Sequence, residues 1–212
     1  MKRFTTILCA SVMSVILIFS AQTINAQPPG FGLKGGLNFS NFGGDDAGTW
    51  DSRTGFSFGG FLVSSFSDLF SIQPELLYTT KGAERTSTFG AGDRVTNTLK
   101  FSYLEIPILG KITIPLRNSN FQPMLYAGPY MAIKLSSKME IESENQDTES
   151  SFDEARATDF GLVFGGGVGL PVRENIIGLE VRYNLGLTSF DDSDDNFSIK
   201  HNVFMVMVSF QI

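Results

Sequence analysis

The chain has 212 residues, among them 22 Gly and 20 Phe, and a formal net charge of −6. An acidic chain without a basic stripe argues against nucleic acid as a partner. One cysteine, Cys9, and one histidine, His201, are too few for a disulfide framework or a zinc ligand set.

The first 26 residues read as a secretory signal peptide. Lys2 and Arg3 form a positive head, Ile7–Phe19 an apolar run, and Ala21–Ala26 a small and polar tail, with cleavage expected after Ala26. The apolar run is short for a spanning helix. Cys9 lies inside it, too early for a lipidation cysteine, so the mature chain is expected to carry no thiol. About 186 residues then remain, enough for one domain, 27–212. No later stretch approaches the apolar length of a membrane helix.

Phe31, Leu33, Leu37 and Phe39 alternate with Gly32, Lys34, Gly36, Asn38 and Ser40. A period of two is a strand with one apolar and one small or polar face. Gly43–Arg53 reads as a loop by its Gly and Asp content. Gly55–Ser65 is a second strand, with Phe56, Phe58, Gly60 and Leu62 on one side. Leu69–Lys81 is the third, and it is the most informative. Phe70, Ile72, Pro74, Leu76 and Tyr78 oppose Ser71, Gln73, Glu75, Thr79 and Lys81, with Leu77 the exception. The polar face carries full charges, which a packed core rejects unless they are paired. The apolar face ends in Tyr78, as a membrane-crossing strand ends in an aromatic at the interface.

A polar loop, Gly82–Val95, follows. Thr98–Ile114 is a fourth strand, with Leu104, Ile106, Ile108, Ile112 and Ile114 outward and Glu105 and Lys111 inward. Upstream the apolar residues change parity to Leu99, Phe101 and Tyr103, and a bulge near Tyr103 is expected to account for it. Phe121–Leu135 is the fifth strand, with Tyr126, Gly128, Tyr130 and Lys134 inward. Ser136–Glu154 is the longest polar segment, acidic, and is expected to be a solvated loop with a strand extension at its start. Phe160–Leu170 is the sixth strand, with glycines on its inner face. Ile177–Leu187 is the seventh, with Glu180, Arg182 and Asn184 inward. Ser189–Ser198 is a further acidic loop. Ile199–Ile212 is the eighth strand, with Phe204, Val206, Val208, Phe210 and Ile212 outward and His201, Met205, Met207, Ser209 and Gln211 inward.

Connections after strands two, four and six are short, and those after one, three, five and seven are long. Outer-membrane barrels show this asymmetry, with short periplasmic turns and long external loops. Lipid offers an open strand edge no hydrogen-bond partner, so the sheet must close. The fold class expected is all-β, an eight-stranded antiparallel up-and-down transmembrane β-barrel in the cell outer membrane.

Gln73-Pro74-Glu75-Leu76-Leu77-Tyr78, then Lys81-Gly82, then Tyr103-Leu104-Glu105-Ile106-Pro107 and Lys111 resemble the outer-membrane β-barrel family of Bacteroidota, labelled porin-family or PorT-like. Gly35-Gly36-Leu37-Asn38 and Gly128-Pro129-Tyr130 carry the same likeness. The resemblance spans Gln27 to Ile212. It implies an eight-stranded outer-membrane barrel and no catalytic assignment.

The inward charges are the candidate site: Lys34, Glu75, Glu105, Lys111, Lys134, Glu180 and Arg182. An eight-stranded barrel is only wide enough inside for side chains. Buried charges must pair, so the expectation is an internal network that plugs the barrel, with a narrow channel as the alternative. No catalytic residue, cofactor or metal is assigned. His201, near the outer rim, is the only histidine a Ser-His-Asp site could use, and no serine stands out by spacing. Asp191-Asp192-Ser193-Asp194-Asp195-Asn196 lacks the glycine and distal glutamate of a calcium loop. Gly165-Gly166-Gly167-Val168-Gly169 does not match a dinucleotide fingerprint. The leading function is a structural or interaction role, with outer-membrane lipid as surroundings. An envelope protein or extracellular ligand is expected to bind through 82–95, 136–154 and 189–198. An enzyme at the extracellular rim and a soluble lipocalin-like carrier are the remaining readings. The charged alternate face favours lipid outside over the carrier.

Overall fold

A computed structural model describes residues 29–43, 51–89, 93–116, 120–143, 146–151, 157–188 and 200–212. The leader, 44–50 of the 43–53 loop, the whole of 189–198, and the side chain of His201 lie outside the described residues. The elements are β1 (Gly30–Gly43), β2 (Asp51–Ser65), β3 (Phe70–Phe89), β4 (Asp93–Thr113), β5 (Gln122–Ser143), β6 (Gln146–Ser151), β7 (Thr158–Val172), β8 (Asn175–Gly186) and β9 (Lys200–Gln211).

Every pairing is antiparallel, in the order β4-β3-β2-β1-β9-β8-β7-β5, and β4 pairs with β5 to close the ring. Eight strands therefore form the barrel. The ends of the described chain meet where Ile212 N donates to Phe31 O at 2.8 Å. β6 pairs with the upper half of β5 only, beyond the ring. The short connections 66–69 and 173–174, and the described ends of 114–121, share one end with Gly30 and Ile212. In the β7–β8 turn Arg173 takes a left-handed φ of 58°.

The period-two faces separate along the strands as the alternation predicts. Leu33 is 69% exposed, Leu76 52% and Val208 56%, whereas Glu75 is 3% exposed and Glu105 not at all. A contiguous band of exposed Leu, Ile, Val and Phe around charged side chains inverts the arrangement of a water-soluble protein. It matches the lipid-facing band of an outer-membrane barrel. The band's upper rim runs through Phe39, Phe56, Tyr78, Leu135, Phe160, Leu187 and Phe204. Phe56, Phe58 and Tyr78 form an aromatic group there, with centroids 5.4–6.2 Å apart.

Three expectations about the elements need correction. Gly82–Val95 is not a loop, because β3 continues to Phe89 and β4 starts at Asp93, paired residue by residue. Ser136–Glu154 is largely a hairpin of β5 and β6. Both segments are polar at most positions of both faces, so hydrophobic alternation gives them no signal. Water on both sides of a sheet removes the cause of that alternation. The parity of β4 also does not change. Leu99, Phe101 and Tyr103 lie on the same inward face as Glu105, and Phe101 and Tyr103 are buried. The register shift falls between Ser102 and Tyr103, whose partners are Ser136 and Lys134. The extra residue is therefore Leu135, in β5. The upper interior is simply aromatic.

Candidate functional site

The candidate site is the barrel interior, and it has two charge clusters at different heights. In the lower one, Glu75 of β3 is the hub. Lys34 Nζ of β1 donates to Glu75 Oε1 at 2.8 Å, and Arg182 of β8 donates Nη1 to Oε2 at 2.8 Å and Nη2 to Oε1 at 3.1 Å. Gln73 Nε2 adds a further bond to Oε1 at 2.8 Å. Glu180 completes the set, 2.9 Å from Lys34 Nζ and 3.5 Å from Arg182 Nη2. Two cations face two carboxylates, so the cluster is neutral. These partners come from strands far apart in sequence, and period two alone aims each of them inward.

The upper cluster holds Lys81, Glu105 and Asp159. Lys81 Nζ is 2.6 Å from Glu105 Oε1 and 3.4 Å from Asp159 Oδ2. Asn184 Nδ2 donates to Glu105 Oε2 at 3.2 Å. Tyr130 OH and Thr188 Oγ1 donate to the two oxygens of Asp159 at 3.2 and 2.7 Å. One cation meets two carboxylates here.

Aromatic faces complete the lining. Lys34 lies over Phe61 at 4.7 Å, Arg182 over Tyr126 at 5.2 Å, and Lys81 over Tyr103 and Tyr130 at 5.1 and 5.0 Å. Such contacts help an ion that has left water. The tyrosines fit because glycine stands opposite them. Tyr126 pairs with Gly165 and Tyr130 with Gly161, and a Cβ on either glycine would come within 2.4 Å of the facing ring. Leu77, the exception in the third strand, packs inside with Val203, Met205 and Met207. Below the clusters, at the short-turn end, lies a cavity of about 350 Å³ lined by Lys111, Gln73, Glu180 and Gln211 among others.

Of the seven charges expected inside, Lys34, Glu75, Glu180 and Arg182 are brought together. Glu105 belongs to the second cluster. Lys111 is partly buried at the cavity and donates to Gln73 Oε1 at 3.3 Å. Lys134 is partly buried beside the β5 bulge, opposite Tyr103. The expected set lacks Lys81 and Asp159. Lys81 lies on the same alternate face as Glu75, so its place is readable. Asp159 falls one residue before the expected start of the sixth strand, and carrying that strand's parity back by two residues finds it. Among the described residues no group of three or more His, Cys, Asp or Glu is arranged to hold a metal ion.

No curated protein sequence matches the chain. Among solved structures it is similar to Ail, the attachment invasion locus protein of Yersinia pestis, at 13% identity and a TM-score of 0.42. That match covers 88% of this chain and 100% of Ail. It is similar to Neisserial surface protein A at 13% identity and 0.47, covering 88% and 99%. The translocator domain of the autotransporter NalP from Neisseria meningitidis matches at 8% and 0.38, covering 98% of each chain. A sequence model of the family described as outer membrane protein beta-barrel domain matches residues 21–192. With that match across most of its length, and a closed eight-stranded barrel that is apolar outside and charged within, the chain belongs to the family of outer membrane protein β-barrel domains and resides in the cell outer membrane.

Proposed function

We propose that this barrel is plugged and works as an interaction protein at the cell surface, neither an enzyme nor a conducting pore. The observation that carries the reading is the contrast between the two halves of β3, β4 and β5. Within the apolar band their inward faces are filled by ion pairs and aromatic rings. Above it they continue as a sheet. These strands run to 20, 21 and 22 residues, whereas a tilted spanning strand needs about 9–11. With β6 they make a four-stranded sheet in water. Among the described residues, the upper edge of β3 beyond Glu84 and the far edge of β6 have no strand partner. An exposed edge is a site for strand addition by a partner protein or an extended peptide. The external ligand or envelope partner is assigned to this sheet, within 82–95 and 136–154, while the 189–198 segment lies outside the described residues.

The Bacteroidota, PorT-like branch is the finer family reading, supported by the Gln73–Tyr78 and Tyr103–Pro107 motifs, whose Glu75 and Glu105 anchor the two clusters. Removal of a signal peptide after Ala26 belongs to the same reading. Mass spectrometry of the membrane-extracted protein should find Gln27 at the N-terminus, and an intact Met1 would overturn it.

Planar bilayers test the plug. The purified protein should give no stable, large conductance steps. Steady ohmic steps whose ion preference changes in Glu105→Gln would make it a channel.

A further inference from the structure

The cavity beneath the lower charge cluster is used neither by the plug nor by the external sheet. Its volume of about 350 Å³ lies within the roughly 300–1,000 Å³ of small-ligand sites. Ser67, Asp68 and Pro115 line it, and Ser67 and Asp68 belong to the exposed β2–β3 turn. It therefore opens at the short-turn end, with Glu180 of the lower cluster at its inner limit.

Lys111 stands on the inner face of β4 in this cavity, opposite Ser71 of β3 in register. Its ammonium donates one hydrogen bond, to Gln73 Oε1 at 3.3 Å. Gln73 is itself fixed, because its Nε2 donates to Glu75 Oε1 at 2.8 Å. The amide thus presents its oxygen to Lys111 and holds the ammonium in place. Among the described residues no carboxylate forms an ion pair with Lys111. The acids within electrostatic reach, Glu180 and Glu75, are already held by Lys34 and Arg182. An ammonium carries three donors, so two remain for a ligand. Ser71 and Ser209 also line the cavity and are buried. The Ser71 hydroxyl shares a face with the ammonium, as direct cross-strand partners do.

The remaining lining narrows the class of ligand. Glu180 on the inner side and Asp68 at the mouth flank the ammonium and oppose a second negative charge. Phe61, Val63 and Met124 supply buried apolar walls, which suit hydrocarbon. With the short turns on the periplasmic side, the ligand enters from the periplasm.

We infer that this cavity binds a monocarboxylate with a compact apolar body, its carboxylate on Lys111 and Ser71. A free small acid and the C-terminus of a peptide both offer that chemistry. Binding here is independent of whether the interior conducts and of what the external sheet meets.

Titration calorimetry of the detergent-purified barrel tests it. The probes are N-acetyl-leucine, N-acetyl-leucinamide, and a tripeptide ending in leucine with a free or an amidated C-terminus. The acids should bind at least about tenfold tighter than the amides, the worth of one charge-assisted hydrogen bond. Lys111→Gln should abolish that preference, and Ser71→Ala should reduce it severalfold. Asp68→Asn, in the exposed turn, should strengthen binding of the acids. Faster migration of unboiled samples reports folding of each variant. If Lys111→Gln fails to fold, Ser71→Ala and Asp68→Asn carry the test, because they must move binding in opposite directions. Tighter binding of the tripeptide acid than of N-acetyl-leucine supports the site with a peptide terminus as its source, and equal binding supports it with a free acid. Equal binding of acids and amides, a preference for acids that survives Lys111→Gln, or no binding of either acid would each overturn the assignment.

Discussion

Replacing Glu75 by Gln tests the internal ion pairs most sharply. The substitution keeps the volume and removes one charge from a neutral, buried set of four. Glu75 accepts four hydrogen bonds, from Lys34, Gln73 and both terminal nitrogens of Arg182. An amide at this position turns a donor toward Lys34 or Arg182, which only donate. Removing one partner of a buried ion pair typically costs about 3–5 kcal/mol. Glu180 still reaches Lys34 at 2.9 Å and Arg182 at 3.5 Å, which places the expected loss at about 3 kcal/mol, the low end of that range. Glu105→Gln is the matched comparison. It removes a charge from a set with one cation and two carboxylates, leaving Lys81 and Asp159 balanced. Its expected cost is about 1.5–2 kcal/mol, the low end for a buried hydrogen bond to a charged group. Urea unfolding of the barrel in lipid vesicles, read by the unboiled gel band, gives both midpoints. If Glu105→Gln lowers the midpoint as far as Glu75→Gln does, local charge balance is not what makes these clusters stable.

Gly165→Val should destabilise the barrel by about 1–3 kcal/mol through overpacking, because the Tyr126 ring occupies the space its side chain needs. Gly35→Val, on the open lipid face where the nearest atom to a Cβ is 3.5 Å away, should be tolerated in the same assay; equal losses would contradict the close glycine–tyrosine fit. Leu76→Arg places a charge within the apolar band and should cost about 2–4 kcal/mol near the bilayer midplane, whereas Asn120→Arg, exposed at the short-turn end, should change stability by less than about 0.5 kcal/mol. Matching values for these two would mean that the band does not face lipid.

Where each strand crosses the bilayer, the sequence and the structure agree closely, for a physical reason. Lipid on one side and a packed, charged interior on the other impose opposite demands on successive residues. Phe70, Ile72, Leu76 and Tyr78 against Gln73, Glu75 and Lys81 are therefore legible at sight. The pairing inside is not legible in this way. Period two aims Lys34, Glu75, Glu105 and Arg182 inward but carries no register, and register decides that Arg182 meets Glu75 while Glu105 meets Lys81. Asp159 is lost to a strand boundary, the least determined feature of any sequence reading. Phe101 and Tyr103 suggest a bulge in β4 only if inward positions must be polar. Tyr103 points inward with Tyr130, and both present ring faces to the Lys81 ammonium, while Phe101 packs against Tyr103.

The extended hairpins follow from the same physics once the solvent changes. Inside the bilayer an unpaired strand edge leaves backbone donors and acceptors without partners, so closure is compulsory. Above the rim water satisfies them, and closure becomes optional. The eight-stranded ring accordingly ends near the aromatic rim on one side, while β3, β4, β5 and β6 continue as an open sheet. An open edge in water risks adhesion to other chains, and charge on the edge strand is the usual protection. β6 carries Asp147 and Glu149, opposite Glu142 and Glu140. Acids at directly opposed register positions are in general unfavourable to a strand pair. On the proposed reading, acids at these positions suit an edge that resists indiscriminate pairing. On that reasoning Glu142→Lys should stabilise the β5–β6 hairpin while removing its discrimination. Slower amide hydrogen exchange in 138–151 together with new self-association would bear this out. Faster exchange without association would mean that the acidic pairs hold the hairpin by some other contact.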